Sequence, residues 1–117
     1  MVILTAAMAE GSEWNLTPPP ESPFPSASGW VSETFSGPYY INVGWGNYLK
    51  RYYRTTSFQV WGLAANTWYY LSESGTFLSD GSGNASGAFS EGRYGGKPKR
   101  INSYCVSDPA TGVVVLK

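Results

Sequence analysis

The chain of 117 residues contains no histidine and only one cysteine, and both shortages exclude familiar chemistry. Without histidine, the commonest general base and the commonest metal ligand are missing. One cysteine cannot form a zinc-binding cluster or a cysteine–histidine catalytic pair. No G-x-S-x-G elbow or P-loop is present, and the acidic residues show no spacing typical of a glycosidase. We therefore expect a protein that is not an enzyme and that carries no cofactor.

Charge is also scarce. Charged residues make up 14% of the chain, whereas aromatic residues reach 16% and the formal net charge is zero. Soluble domains usually contain about 25% charged residues. This balance gives no electrostatic attraction to nucleic acid or to an anionic membrane. Few charges together with many tyrosines and tryptophans predict that much of the surface contacts another protein.

Long apolar stretches are missing as well. The apolar run at residues 1–9 is far too short to span a bilayer, and it lacks the basic region of an export signal. We expect neither a signal peptide nor a membrane partner.

No segment shows helical periodicity over ten residues, whereas strand-like alternation is frequent. In Thr56–Leu63 it places Phe58 and Val60 on one face, and Gln59, Trp61 and Leu63 on the other. Further strands are predicted at 30–35, 39–43, 48–53, 67–73, 86–89, 99–106 and 113–116, separated by turn signals. Seven to nine short strands at this spacing predict an all-β antiparallel sandwich.

Prolines set the first 28 residues apart. Pro18, Pro19 and Pro20, followed by Pro23 and Pro25, force an extended backbone. We predict an extended N-terminal arm at residues 1–28 and a sandwich domain at residues 29–117. The arm is expected to lie against a neighbouring subunit, or alternatively on its own domain. Its predicted anchors are Trp14, Leu16 and Phe24.

The second half of the chain resembles a known module. Gly62–Tyr70 resembles the G-L-x-P-N-T-x-Y corner of immunoglobulin-like and fibronectin type III-like modules, although Ala65 stands where these have proline. Ser79–Phe89 is similar to the T-D-x-x-G-N-x-S-G-x-F hairpin downstream of that corner. Such modules occur in virion structural proteins of tailed bacteriophages and in some bacterial surface arrays. The resemblance, over residues 54–117, implies an immunoglobulin-like fold and a structural role.

Three sets of residues are candidates for a site. The aromatic residues Trp45, Tyr48 and Tyr52 could belong to the core, form a subunit contact or stack on a sugar. Four residues match positions 1, 3, 5 and 12 of a calcium loop, but Ala85 replaces its essential glycine and no helices flank it. These weak metal candidates are Asp80, Ser82, Asn84 and Glu91. Cys105 is expected to be a small buried residue, or else to form a disulfide between subunits.

Together these features predict a non-enzymatic structural subunit of a multi-subunit particle, namely a head-decoration, neck or tail component of a bacteriophage virion. Its expected partners are copies of itself and other virion structural proteins. The alternative is a carbohydrate-binding or adhesion module on a virion or bacterial surface, with a host-surface glycan as ligand. The protein is expected to be made in the host cytoplasm and to become extracellular as part of the particle.

Overall fold

The computed structural model describes residues 11–117, and every regular element in that range is a β-strand. The eight strands are β1 (Gly11–Leu16), β2 (Ser28–Gly44), β3 (Asn47–Trp61), β4 (Trp68–Leu71), β5 (Gly75–Leu78), β6 (Ala85–Tyr94), β7 (Val106–Ser107) and β8 (Val114–Leu116). One sheet has the order β1-β2-β3-β6 and the other has the order β5-β4-β7-β8. All strand pairs are antiparallel. The prediction of an all-β antiparallel sandwich is confirmed.

The core lies between the two sheets. Alternation along β3 turns Phe58 and Val60 inward, where they pack with Tyr69 and Leu71 of β4. Leu63 was predicted to share a face with Trp61, but Leu63 is buried whereas Trp61 is exposed. Gly62 between them has a φ of 80°, which ends the strand alternation and turns Leu63 towards the core.

The described part of the predicted arm belongs to the sandwich itself. Residues Gly11–Leu16 form the edge strand β1, which pairs with β2 from Gly11↔Thr34 to Leu16↔Gly29. Leu16 is 2% exposed in the core, and the ring of Trp14 meets that of Tyr104 edge-on, with centroids 5.0 Å apart. Phe24 also packs against the core. The boundary at residue 28, and the assignment of these three side chains to a neighbouring subunit, are therefore corrected.

The reason is strand periodicity: two side chains spaced two residues apart, such as Trp14 and Leu16, share one face of a strand and can be buried together. The alternative of an arm on its own domain describes residues 11–28 better. Residues 1–10 of the predicted arm lie outside the described residues.

Strands β2 and β3 are longer than predicted. Gly37 and Pro38 were expected to end a strand, but β2 continues past them through a register shift between Ser36 and Tyr39. Likewise, the two strands predicted on either side of Thr55 are one continuous strand, β3. Strand β5 was not predicted, and β6 extends to Tyr94, beyond the strand predicted at 86–89.

The strand predicted at residues 99–106 is reduced to Val106–Ser107. The backbone of the preceding segment forms hydrogen bonds with buried side chains instead of with a neighbouring strand. The carboxylate of Glu33, fully buried on β2, accepts hydrogen bonds from Ile101 N–H (3.0 Å) and Tyr104 O–H (3.1 Å). Buried Arg54 donates to the carbonyl oxygen of Lys99 (2.8 Å). Two charged side chains of the first sheet thus hold this irregular segment in place.

Candidate functional site

A two-stranded hairpin projects from the first sheet. Described pairing between β1 and β2 reaches Thr34, and pairing between β3 and β6 reaches Arg51. Beyond these points, residues 39–49 of β2 and β3 have no strand partner but each other among the described residues, and the Lys50 carbonyl oxygen accepts a hydrogen bond from Gly95 N–H (2.8 Å). Every residue from 37 to 50 is exposed. The molecule measures 56 × 30 × 25 Å, an elongation consistent with such a projection.

A tight turn at the tip presents Trp45 to solvent. Trp45 is 100% exposed and has a φ of 54°, a left-handed conformation that is costly for a residue with a side chain. Gly44 and Gly46 on either side also have positive φ values. The Asn42 side chain accepts a hydrogen bond from Gly44 N–H at 2.8 Å, which fixes the entry to the turn. The indole is therefore held outward on an ordered turn.

One face of the hairpin carries apolar and aromatic side chains around a single cation. Cross-strand pairs join Tyr39 to Arg51 and Ile41 to Leu49, and paired residues share a face. The Arg51 guanidinium lies 4.4 Å from the ring centroid of Tyr94 and 5.2 Å from that of Tyr53. Its Nε donates to the Tyr53 hydroxyl at 3.1 Å, and this bond is the main reason that the pKa of Arg51 is raised. The cation stays charged and is braced by two rings.

The opposite face carries tyrosines and cations. Tyr40 pairs with Lys50, Asn42 with Tyr48, and Tyr52 with Arg93 of β6. Both Tyr40 and Tyr48 are exposed. The hairpin thus presents side chains suited to contact on both faces and at its tip.

The structure places two of the three sequence-predicted aromatic residues on this hairpin, Trp45 at its tip and Tyr48 on its tyrosine-rich face. The third, Tyr52, lies at the base, where β3 pairs with β6. The sequence prediction did not include the partner residues Tyr39, Tyr40, Ile41, Val43, Leu49 and Tyr94. The signal for most of them is the Gly44–Asn47 turn between two aromatic runs, which predicts that 39–43 and 48–53 are paired strands.

The four weak metal candidates do not converge. The Asp80 carboxylate accepts hydrogen bonds from Ser82 N–H (2.8 Å) and Asn84 N–H (3.0 Å) of its own loop. These backbone bonds lower the pKa of Asp80. Glu91 lies far along β6, where it forms a 2.7 Å ion pair with Arg54. Within residues 11–117, no three acidic, cysteine or histidine side chains are grouped to hold a metal ion.

Cys105 is half-buried. Its N–H donates a hydrogen bond to Ser72 Oγ, and its carbonyl oxygen accepts one from Ser72 N–H. The disulfide between subunits stays a prediction.

No protein family, curated protein or solved structure matches this chain. No helix among the described residues is long and apolar enough to cross a membrane.

Proposed function

We propose that this protein is a non-enzymatic structural subunit of a multi-subunit particle, and that the projecting hairpin is its main assembly contact. The supporting observation is the exposure of apolar side chains on both faces of a hairpin that no other described element covers. A two-stranded hairpin is only marginally stable in water by itself. Contiguous exposed apolar surface marks a contact with another molecule.

The composition of the hairpin fits a protein partner. Tyrosine, tryptophan and arginine are the residues that most often dominate binding energy at interfaces. No acidic residue occurs between Glu33 and Glu73, a range that contains the whole hairpin. From residue 47 to residue 49, the outer backbone edge of β3 has no partner strand among the described residues, so it can also pair with a strand of a neighbour.

The kind of particle comes from the sequence resemblance. The described fold is a sandwich of two antiparallel sheets, the architecture that the immunoglobulin-like and fibronectin type III-like resemblance implies. We propose a bacteriophage virion as the particle, with this chain as a head-decoration, neck or tail subunit. Copies of itself and other virion proteins are its proposed partners.

The test compares exposed apolar side chains on the hairpin with an exposed tyrosine elsewhere on the sandwich. Replacing Tyr40 and Ile41 together with alanine should reduce self-assembly, measured by sedimentation velocity. Tyr70→Ala is the matched control, because Tyr70 is also exposed but lies on β4, away from the hairpin. Equal loss of assembly in both variants, or in neither, would contradict the proposed role of the hairpin.

Carbohydrate binding is the second candidate, and the fully exposed indole of Trp45 favours it. Such a ring can stack on the apolar face of a sugar. If a glycan array shows binding that Trp45→Ala abolishes while the protein remains monomeric, the hairpin is a glycan site instead.

A further inference from the structure

A groove opens beside Trp61, at the opposite end of β3 from the hairpin tip. Its volume is about 410 Å³, and small-molecule pockets usually measure roughly 300–1,000 Å³. Trp61 is 38% exposed in its wall, together with the exposed side chain of Leu78. Four of the eight lining residues carry polar side chains, namely Gln59, Asp80, Asn84 and Ser86. The groove therefore combines one exposed indole with several hydrogen-bonding groups.

Strand alternation and pairing place part of this set on one face of the first sheet. Gln59 and Trp61 lie two residues apart on β3, and Gln59 pairs with Ser86 of β6. Asp80 and Asn84 come from the loop between β5 and β6, and Leu78 ends β5. The exposed indole is thus bordered by polar side chains from more than one element of the sandwich.

Asp80 and Asn84 are held in place by the loop itself. Asp80 Oδ1 accepts hydrogen bonds from Ser82 N–H (2.8 Å) and Asn84 N–H (3.0 Å). Asn84 Oδ1 accepts one from Gly62 N–H (3.2 Å), and the Asn84 carbonyl oxygen accepts one from Asp80 N–H (2.8 Å). Among residues 11–117, the remaining side-chain atoms, Asp80 Oδ2 and Asn84 Nδ2, have no hydrogen-bond partner. A fixed acceptor and a fixed donor therefore remain for a ligand.

The lining selects the chemistry of that ligand. Asp80 is the only charged residue that lines the groove, so a phosphate or a carboxylate would meet a negative charge and no cation. A purely apolar ligand would leave the carboxylate and the amide without partners, which is unfavourable. An uncharged sugar ring offers an apolar C–H face to an indole, and each of its hydroxyls both donates and accepts hydrogen bonds. The groove suits this class of ligand best.

We infer that the groove binds an uncharged sugar residue, whose ring stacks on Trp61 and whose adjacent hydroxyls donate to Asp80 and accept from Asn84. This inference goes beyond the proposed assembly function and does not depend on it, because the hairpin lies at the other end of β3. The same separation allows Trp61 and Trp45 to be tested independently as stacking surfaces.

The test is an NMR titration of the full chain with D-glucose, D-galactose and N-acetyl-D-glucosamine. At least one of these sugars should bind the wild type saturably, and Trp61→Ala should abolish that binding. Asp80→Asn keeps an oxygen for the backbone bonds of the loop but replaces Oδ2 by an amide donor. It should weaken binding by about tenfold or more, because a hydrogen bond to a charged group is lost.

Trp45→Ala is the matched control, and it should bind the sugar as the wild type does. Thermal melts check that each variant is folded. If Trp61→Ala fails to fold, Ser86→Arg replaces it, because Ser86 is exposed in the lining and a longer side chain there should block the groove.

Three results would overturn the inference. The first is that none of the three sugars binds the wild type at its highest soluble concentration. The second is binding that is lost in Trp45→Ala but kept in Trp61→Ala or Ser86→Arg, which would place the sugar at the hairpin. The third is full-strength binding by Asp80→Asn, which would show that the carboxylate does not hold a sugar hydroxyl.

Discussion

Replacing Glu33 with alanine should strongly destabilise the fold. The Glu33 side chain is fully buried, and its Oε2 atom accepts hydrogen bonds from Ile101 N–H and Tyr104 O–H. Its Oε1 atom lies 3.6 Å from Nε of Arg100. Alanine removes the acceptor, which leaves the buried Ile101 N–H without its partner and leaves the Tyr104 hydroxyl with only its 3.3 Å contact to Thr56 Oγ1.

The magnitude follows from these bonds. A hydrogen bond to a charged group contributes about 1.5–3 kcal/mol, so the two bonds predict a loss of about 3–6 kcal/mol. Small domains have total unfolding free energies of about 5–15 kcal/mol, so the variant should approach the limit of stability. With a urea m-value of roughly 2 kcal/mol/M, the midpoint should fall by about 2 M.

The assay is urea unfolding of three variants. Glu33→Gln keeps an oxygen acceptor and should lose less stability than Glu33→Ala. Glu13→Ala is the control, because Glu13 is exposed on β1 and surface changes usually fall within about 0.5 kcal/mol. Hydrogen exchange at the Ile101 amide should accelerate in Glu33→Ala. If Glu33→Ala matches Glu13→Ala in stability, the carboxylate does not hold the 99–104 segment and the reasoning is wrong.

Three further predictions concern other parts of the sandwich. Burial, helped by a neighbouring carboxylate, raises the pKa of Tyr104 to about 12. An unfolded tyrosine titrates near 10, so about 2–3 kcal/mol of stability present below pH 10 should be lost as the pH rises towards 12. Tyr104→Phe should remove this loss in urea titrations at several pH values, and an unchanged slope would contradict the assignment. Gly83→Ala should destabilise by more than about 1 kcal/mol in thermal melts, because Gly83 has a φ of 80° and an added Cβ would clash with the Leu63 carbonyl oxygen; a neutral result would refute this geometry. Leu16→Ala should lower the free energy of unfolding in urea by about 2–5 kcal/mol. Deletion of residues 1–25 should lower it further, because the deletion also removes β1. If the truncated sandwich is stable, the arm is a separate segment after all.

Local patterns in the sequence were enough to predict the turns and the all-β fold class. Glycine and aspartate signals separate the strands predicted at 39–43 and 48–53 and those predicted at 99–106 and 113–116. Alternation placed Phe58 and Val60 on one face, and both are buried. The continuity of β2 across Gly37 and Pro38 was not predictable from these local signals. A bulge is stable there because β3 supplies pairing partners on both sides of it.

The irregular segment before β7 was even less predictable from local sequence signals. Its residues alternate as a strand would, yet its backbone bonds to Glu33, 68 residues away from Ile101 in sequence, and to Arg54. Alternation in the strand predicted at 30–35 places Glu33 on one face with Val31 and Phe35. The structure shows that this face is the buried one.

Two tryptophans show why the candidate site could be predicted only in part. Trp14 and Trp45 both lie among polar and small residues, yet one packs in the sandwich and the other is fully exposed. Trp14 is followed two residues later by Leu16, so a strand can bury both on one face. Trp45 stands between two glycines with positive φ, which form a turn and leave no neighbour for its ring. The turn could be predicted from the sequence, but its distance from the core could not, because that distance depends on where β6 stops pairing with β3. Among the described residues, the exposure of the hairpin therefore follows from the greater length of β2 and β3, and it leaves on the surface an aromatic run that resembles core in sequence.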